Sequence, residues 1–456
     1  MQLLSLGAFA ALFAFLAWRA RNNPLFVAGA AAFLAMGRSA FIDIVPDQLL
    51  IDWLRFGTSD LIFAALVIGW MYARRRRRVP HVRLSARWVG LGVLLLFLFA
   101  LEFGFGVVHS GFQPMAIMRM RDWFYIPIGY LIALDILRRF TSVEVEQYVG
   151  ALSLFTTCLM VLYIASAMGI GVYPYPKYLV VKVSDATIIR DFYTFPIWFT
   201  LAAGYYLAQA KKNGWTFVAL AVLAAGAALS YTRSVILVFV AVAVLATILP
   251  MASRGHAVRA LVVGAGVASV AIFILVYGPV LAPTQYDYLR GRFATISSPR
   301  DALSDPNLSF RLDQVEQAYR AGERTNPMFG AGLYETSPSL VSLQYRSYES
   351  DWIRIAYHTG LAGLVTLAAP LVLALVWGIS GYVRSKSPVG IDALLLAGVL
   401  ATVCSAGWRS MGLVYFWWPA LSLFSVALIA YAMGFPVAAA NPSRLHNEPG
   451  KLANGL

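Results

Sequence analysis

Three stretches of this sequence carry polar residues whose types and spacing could do chemistry. The first is Thr232-Arg233-Ser234, which stands between two long apolar runs with almost no loop between them. A guanidinium at such a boundary either snorkels to a membrane surface or clamps an anion such as a diphosphate. The residue types leave both interpretations open.

The second stretch begins with Glu349-Ser350, and nine residues separate this pair from Gly360-Leu361-Ala362-Gly363. A carboxylate at the entrance of an apolar helix is placed to take a proton from a sugar hydroxyl, as general-base catalysis requires. The alternative is structural, because acidic residues near a helix N-terminus also favour the helix dipole. Gly360 and Gly363 are predicted to share one helical face about three turns deeper.

The third stretch contains Arg311, at the start of a segment, 310–321, with apolar residues at helical spacing. A helix N-terminus favours an acid over a base, so this cation either binds an anionic ligand or pairs with a loop acid such as Asp305. Two isolated residues are weaker candidates. Glu102 is expected to be buried and protonated or paired, and His358 is expected to be a core histidine.

The composition of the chain indicates the environment in which these residues lie. Of the 456 residues, 60% are hydrophobic and only 13% are charged, yet the formal net charge is +14. Such a chain has too little polar surface for a soluble globule and is predicted to be an integral membrane protein. Two cysteines in apolar runs exclude a disulfide framework. The sequence contains no Walker A, HExxH or CxxC pattern, so we expect no nucleotide, metal or other cofactor.

About thirteen apolar stretches are long enough to approach the roughly 20 residues that span a bilayer. The predicted fold is therefore all-α, a polytopic membrane protein with about 12–13 transmembrane helices and one large periplasmic loop. The centres of the apolar stretches are Ala10, Ala30, Ala65, Leu96, Gly129, Met160, Ala202, Val222, Ala241, Val270, Ala368, Gly398 and Ser425.

Basic residues predict the orientation of these helices. They lie in alternate connecting segments, which the positive-inside rule assigns to the cytoplasm; examples are Arg19, Arg21, the run 74–78, Arg138, Arg139 and Arg384. The arginine run is predicted to anchor topology at anionic lipid and not to bind nucleic acid. Four parts follow: helices in 1–280, a periplasmic subdomain in 281–350, helices in 351–435 and a disordered cytoplasmic tail in 436–456. Arg121, Arg190 and Arg409 are predicted to lie on the outer side.

The order of these motifs resembles the O-antigen ligase and O-antigen polymerase superfamily. That family has a Ser-Arg-type motif opening an outer hairpin, similar to Thr232-Arg233-Ser234, and an arginine beginning a loop helix, similar to Ser309-Phe310-Arg311. A Pro-x-x-Gly-x-Gly turn follows, resembled by residues 327–332. Its ligases carry His-[Asn/Ser/Gln], nine residues and Gly-x-x-Gly. Glu349 replaces that histidine here, and a carboxylate is common among polymerases, so the polymerase type is favoured.

The resemblance implies a metal-independent, inverting glycosyl transfer at the periplasmic face of the bacterial inner membrane. The substrate would be an undecaprenyl-diphosphate-linked oligosaccharide of O-antigen, capsule or exopolysaccharide. Arg233 and Arg311 would neutralise the diphosphate, Glu349 would deprotonate the glycan acceptor, and Arg190, Arg121, Arg409 and Ser350 would bind substrate. A chain-length regulator and membrane lipids are the implied partners. The alternatives are a ligase that transfers glycan to lipid A core, and a transporter of lipid-linked oligosaccharide.

Overall fold

The computed structural model describes a series of helices and two short hairpins. The described residues are 48–51, 54–76, 82–111, 114–167, 180–183, 186–189, 196–208, 214–229, 233–252, 326–332, 351–384, 389–411 and 424–434, with scattered residues at 10–21, 80 and 265–320. The strands are β1 Gln48–Ile51, β2 Leu54–Gly57, β3 Val180–Val183 and β4 Ala186–Ile189. The helices are α1 Thr58–Arg76, α2 Ala86–Ser110, α3 Pro114–Leu137, α4 Ser142–Ala167, α5 Pro196–Ala208, α6 Gly214–Leu229, α7 Arg233–Ala252, α8 Asp351–Arg384, α9 Val389–Met411 and α10 Phe424–Gly434.

The helices fall where the hydrophobic pattern predicts them, because each of α1 to α10 contains one predicted centre. Three stretches of the described chain are long and apolar enough to cross a membrane, namely Ala86–Val108, Ser142–Ala165 and Ala356–Arg384. Shorter apolar helices lie in α3, α6, α9 and α10. The polytopic helical fold is thus confirmed, whereas the total number of spans stays a prediction because Ala30 and Val270 lie outside the described residues.

The outward faces of the long helices are apolar. On α2, Val89, Val93, Phe97 and Leu101 recur every four residues and all are exposed. Four-residue spacing places side chains on one helical face. An apolar stripe of this length on a folded surface marks contact with a partner or a membrane, and here lipid is the fitting neighbour.

Helices α5, α9 and α10 pack closely in the interior, α5 against α9 and α9 against α10. A Cβ atom on Gly204 of α5 would lie 2.9 Å from the Cα of Ala397 on α9, so the two backbones approach closely. Thr402 of α9 and Ser425 of α10 share a buried hydrogen bond of 2.8 Å between their hydroxyl groups. Small residues and hydroxyl pairs of this kind are typical of helix packing in membranes, where helices do not associate by the hydrophobic effect.

Two antiparallel hairpins, β1–β2 and β3–β4, interrupt the helical series. Each joins strands of four residues, with Gln48 opposite Gly57 and Val180 opposite Ile189. The hydrophobic pattern did not predict them, because a four-residue strand carries too little periodicity to stand out among apolar runs. Both lie in segments that the charge pattern assigns to the outer side.

Helices α2 and α8 run antiparallel and define two ends of the bundle. Arg87, next to the start of α2, lies with its guanidinium carbon 4.4 Å from the ring centre of Trp377, close to the end of α8. At the other end of α2, the backbone of Gly106 meets Gly332. These two contacts are separated by roughly 30 Å along α2 at 1.5 Å per residue. We call the first the arginine-rich end, since Arg74, Arg87, Arg138, Arg139 and Arg384 come at or beside the helix ends there.

Candidate active site

A compact turn lies against the opposite end of α2 and is here called the docked turn, residues 326–332. Its first residue, Asn326, accepts three bonds from within the turn. The N–H of Gly330 donates to its carbonyl oxygen at 2.6 Å, and the N–H groups of Met328 and Phe329 donate to its side-chain oxygen at 2.9 and 3.4 Å. Asparagine at the start of a turn commonly bonds to the backbone two residues on. The turn predicted from Asn326-Pro327 and the two glycines is confirmed.

The docked turn is inserted into the hydrogen-bond ladder of α8. In a continuous helix, the N–H groups of Leu361 and Ala362 would bond to the carbonyls of Tyr357 and His358. Gly360 instead has φ of 59° and ψ of −158°, which breaks the helix at that point. The predicted continuous helical face for Gly360 and Gly363 is therefore wrong, because a peptide unit with this geometry cannot continue the ladder.

Each backbone group released by the break finds a partner in the docked turn. The N–H groups of Ala331 and Gly332 donate to the carbonyls of Tyr357 and His358 at 3.0 and 2.9 Å; those of Leu361 and Ala362 donate to the carbonyls of Pro327 and Met328 at 3.1 and 3.0 Å. A buried backbone group without a partner is costly, so the exchange must be complete for the break to be stable. The turn and the helix form one interlocked unit.

Three glycines make this close approach possible. A Cβ atom on Gly330 would lie 2.6 Å from the carbonyl oxygen of Tyr357, and one on Gly360 would lie 2.5 Å from the backbone of Met328. A Cβ on Gly332 would lie 2.5 Å from the Cα of Gly106 on α2. All three also have positive φ, at 68°, 93° and 59° for Gly330, Gly332 and Gly360. Other residues adopt that region only with strain, so glycine is required here for two independent reasons.

Side chains reinforce the contact. The Nδ1 atom of His358 lies 3.0 Å from the carbonyl oxygen of Gly332. A carbonyl only accepts, so the hydrogen of this bond belongs to Nδ1. The ring of Phe329 lies with its centre 5.8 Å from that of Phe105 on α2. The prediction of a satisfied histidine is confirmed, but its task in holding the turn carried no signal in the sequence.

Glu102 lies one helical turn from Gly106 and on the same face of α2. Its side chain is 1% exposed. Its Oε2 atom has no hydrogen-bond partner among the described residues. Ionisable groups at this depth are rare and commonly functional. The sequence identified Glu102 as a candidate, and the structure adds that it lies below the docked turn.

The predicted site residues fall into two groups. Arg233 is the first residue of α7, Arg121 lies within α3 and Arg409 within α9, and for these three the structure describes the backbone alone. Glu349, Ser350, Arg311 and Arg190 lie outside the described residues. Around Arg311 the described residues, Ser309, Leu312, Asp313, Glu316 and Arg320, are helical as predicted, and Glu316 pairs with Arg320 at i,i+4.

Sequence reasoning missed two parts of this region, the contact of Gly106 with the docked turn and the break at Gly360. The signal for the break was available, since two glycine-rich motifs in one chain are consistent with a backbone-to-backbone approach. It was not decisive, because glycine is also frequent within ordinary transmembrane helices. No comparable pattern distinguishes Gly106 from its neighbour Gly104.

The fold and the interlocked motifs define a class, a polytopic helical membrane protein with a loop turn inserted into a broken helix. Residues 217–368 match the protein family described as O-antigen ligase. The matched segment is about a third of the chain and includes Arg233, Arg311, the docked turn, Glu349 and the helix break. No curated protein gives a match to this chain.

The match confirms the resemblance to the O-antigen ligase and polymerase superfamily. A match of this kind is consistent with a membrane enzyme of the glycosyltransferase type. Of the motifs that carry the resemblance, the Pro-x-x-Gly-x-Gly turn and the Gly-x-x-Gly segment of α8 come together in space.

Proposed function

We propose that this protein is a polysaccharide polymerase of the bacterial inner membrane. It joins undecaprenyl-diphosphate-linked repeat units at the periplasmic face by inverting glycosyl transfer. The observation that carries the proposal is the insertion of the docked turn into α8. The docked turn and the Gly-x-x-Gly segment of α8, which are separate motifs in the sequence, form one structural unit. Helix α8 begins directly after Glu349 and Ser350.

In the proposed step, a hydroxyl oxygen of the acceptor sugar attacks the anomeric carbon of the donor. A glycosidic carbon–oxygen bond forms while the bond from that carbon to the diphosphate oxygen breaks. The hydroxyl proton passes to the carboxylate of Glu349, and the bonding electron pair leaves with undecaprenyl diphosphate. Arg233 and Arg311 neutralise the charge that develops on the leaving diphosphate, because a guanidinium presents two donors that match phosphate oxygens.

The helix break supports the assignment of Glu349 because it fixes the helical segment that follows Glu349 in the chain. Residues 351–359 form a helical segment of about 14 Å at 1.5 Å per residue. Glu349 and Ser350 precede this segment, and the docked turn holds its other end. A base must be within hydrogen-bond reach of the proton that it removes, and small displacements are costly. An interlock of four backbone bonds is suited to that precision.

The remaining residues of the proposed site bind substrate. Arg190, Arg121 and Arg409 extend positive charge around the diphosphate and glycan, and Ser350 orients the acceptor hydroxyl beside Glu349. The predicted orientation supports this grouping, since Arg121, Arg190 and Arg409 all belong to outer segments. The lipid of the donor stays in the bilayer and the glycan lies outside it.

The second candidate is an O-antigen ligase, which the description of the matched family favours. A ligase would use the same donor and the same arginines, and would transfer finished glycan to lipid A core. The presence of glutamate at position 349, where the family's ligases have histidine, favours the polymerase. The acceptor used in a defined assay separates the two.

The test uses the full chain in proteoliposomes with a defined undecaprenyl-diphosphate-linked repeat unit as the sole substrate. We expect a ladder of chain lengths from the wild type and none from Glu349→Gln, Arg233→Ala or Arg311→Ala. Glu335→Gln, an acid in the same predicted loop, is the matched control and should give a normal ladder. Size-exclusion profiles and thermal unfolding show that each variant is folded.

Three outcomes would contradict the proposal. A normal ladder from Glu349→Gln removes the base role. Transfer only when lipid A core is supplied identifies a ligase. Movement of the lipid-linked unit across the bilayer without a new glycosidic bond identifies a transporter.

A further inference from the structure

A second polar cluster lies at the arginine-rich end of the bundle, far from the docked turn. Its centre is the carboxylate of Asp135 on α3. The Nε1 of Trp70 donates to Oδ2 at 2.7 Å. Arg139 donates to both carboxylate oxygens, from Nε to Oδ2 at 3.1 Å and from Nη2 to Oδ1 at 3.2 Å. Arg138 pairs with Oδ1, and Nε of Arg74 lies 3.9 Å from Oδ2.

Basic groups outnumber the acid at the centre of this cluster. Three guanidinium groups surround the one carboxylate of Asp135, which cannot neutralise all three by itself. Arg139 is almost fully buried, with 6% of its side chain exposed. Both oxygens of Asp135 already accept several donors, so this carboxylate has little capacity for more. The exposed part of the cluster, Arg74 and Arg138, has the charge to bind a further anion.

One donor in the cluster is available to such an anion. The Nε atom of Arg138 is buried and has no hydrogen-bond partner among the described residues. A buried donor without a partner is costly, and more so on a charged group. The side chain of Arg138 as a whole is 32% exposed, so a ligand can reach it from the surface.

The surroundings of the cluster are those of a membrane interface. The guanidinium of Arg74 lies 5.1 Å from the ring centre of Trp70, and the backbone N–H of Val82 donates to the carbonyl of Arg138 at 3.2 Å. The cluster therefore lies beside the segment that leads into α2, where Arg87 lies over Trp377. Tryptophan and arginine are the residues that anchor helices at lipid headgroups.

We propose that Arg74, Arg138 and Arg139 form a binding site for the phosphate of an anionic phospholipid. The shared chemistry is a phosphate oxyanion. A lipid headgroup is the source, because the cluster lies at the ends of α1 and α3 beside interfacial tryptophans, and basic pockets between transmembrane helices bind such headgroups. Asp135 orients the guanidinium groups. The site is separate from the docked turn, which meets the other end of α2 roughly 30 Å away along that helix.

The experiment measures lipid binding to the full chain purified in detergent. Phosphatidylglycerol, phosphatidylcholine or inorganic phosphate is added, and the shift in thermal unfolding and the bound lipid in native mass spectra are recorded. We expect phosphatidylglycerol alone to stabilise the wild type and to remain bound. Each of Arg74→Gln and Arg138→Gln should lower the affinity for phosphatidylglycerol about tenfold or more, because each removes a charged hydrogen bond to the phosphate.

Arg384→Gln is the matched control, because this exposed arginine ends α8 near the same predicted membrane surface and lies outside the cluster contacts. It should keep wild-type affinity. Equal stabilisation by phosphatidylcholine, or an equal loss of affinity in Arg384→Gln, would overturn the site. An equal effect of inorganic phosphate would overturn the assignment to a lipid. Arg74 is half exposed, so its variant remains informative if Arg138→Gln fails to fold.

Discussion

The amide of Ala331 donates to the carbonyl oxygen of Tyr357 at 3.0 Å, a bond that joins the docked turn to helix α8. Tyr357 would otherwise bond to Leu361 within α8. The turn thus takes over the role of the next helical turn. Any change that loosens this bond should move residues 351–359, and with them the proposed base.

Substitution of Gly330 tests whether the interlock is needed. Gly330→Ala places a Cβ 2.6 Å from the carbonyl of Tyr357 and at a φ of 68°. We expect a loss of stability of about 1–3 kcal/mol from the backbone strain alone. We also expect about a hundredfold loss of polymerisation, because a small displacement of a catalytic group has that effect. Thermal unfolding and the chain-length assay measure the two.

Gly104→Ala is the control for that experiment. Gly104 lies on α2 near Gly106, and a Cβ there meets nothing within 4 Å. It should leave stability and chain length unchanged. Wild-type activity from Gly330→Ala would show that the docked turn does not position the site.

His358 should contribute to stability through its hydrogen bond to Gly332. His358→Phe removes the Nδ1 donor to the carbonyl of Gly332 and should lower stability by about 0.5–1.5 kcal/mol, the usual net value of such a bond. His358→Asn should recover part of this loss, because the asparagine amide can occupy the place of Nδ1–H. Equal unfolding temperatures for His358→Phe and the wild type would contradict this role.

We expect Glu102 to contribute to activity and not to the stability of the fold. Its Oε2 has no partner among the described residues, and replacing such a group with an apolar one removes a burial cost. We expect Glu102→Leu to unfold at the wild-type temperature or above it, and to polymerise more slowly. A large drop in unfolding temperature would instead indicate that Glu102 pairs within the protein.

The pH dependence of polymerisation should change with the residue type at position 349. An ordinary carboxyl group titrates at about pH 4.3 and an imidazole at about pH 6.5. A general base must be unprotonated to act, so its activity is lost as the pH falls below its pKa. We therefore expect Glu349→His to keep activity at neutral pH and to lose it below about pH 6.5, where the wild type is still active. Identical acid limbs for the two proteins would contradict the base role.

Much of the fold could be predicted because long apolar runs leave few structural choices in a membrane. Each of α1 to α10 contains a predicted centre, and the turn at Asn326 followed from its turn residues. The hairpins at 48–57 and 180–189 could not be predicted, since strands of four residues are too short to show a period. The break at Gly360 depends on a turn about thirty residues earlier in the chain, and local propensity carries no information about such a partner.

The sequence predicted the turn at Asn326 and the helix that contains Gly360, but not the contacts between them, and the roles of the predicted site residues stay predictions. Arg233 begins a helix, as the short gap between two apolar runs indicated. The contact of Gly332 with Gly106 joins the matched segment to a helix outside it. A family pattern confined to residues 217–368 cannot include that contact, because Gly106 lies outside this range.

The interlock at Gly360 consists of main-chain bonds, which every residue except proline can supply at a donor position. Met328 and Leu361 provide backbone groups to it while their side chains face outward, half exposed. Such an interlock holds the backbone in position without requiring particular side chains. Neighbouring side chains can be exchanged to suit a different ligand, and the backbone frame behind the proposed site need not be rebuilt each time.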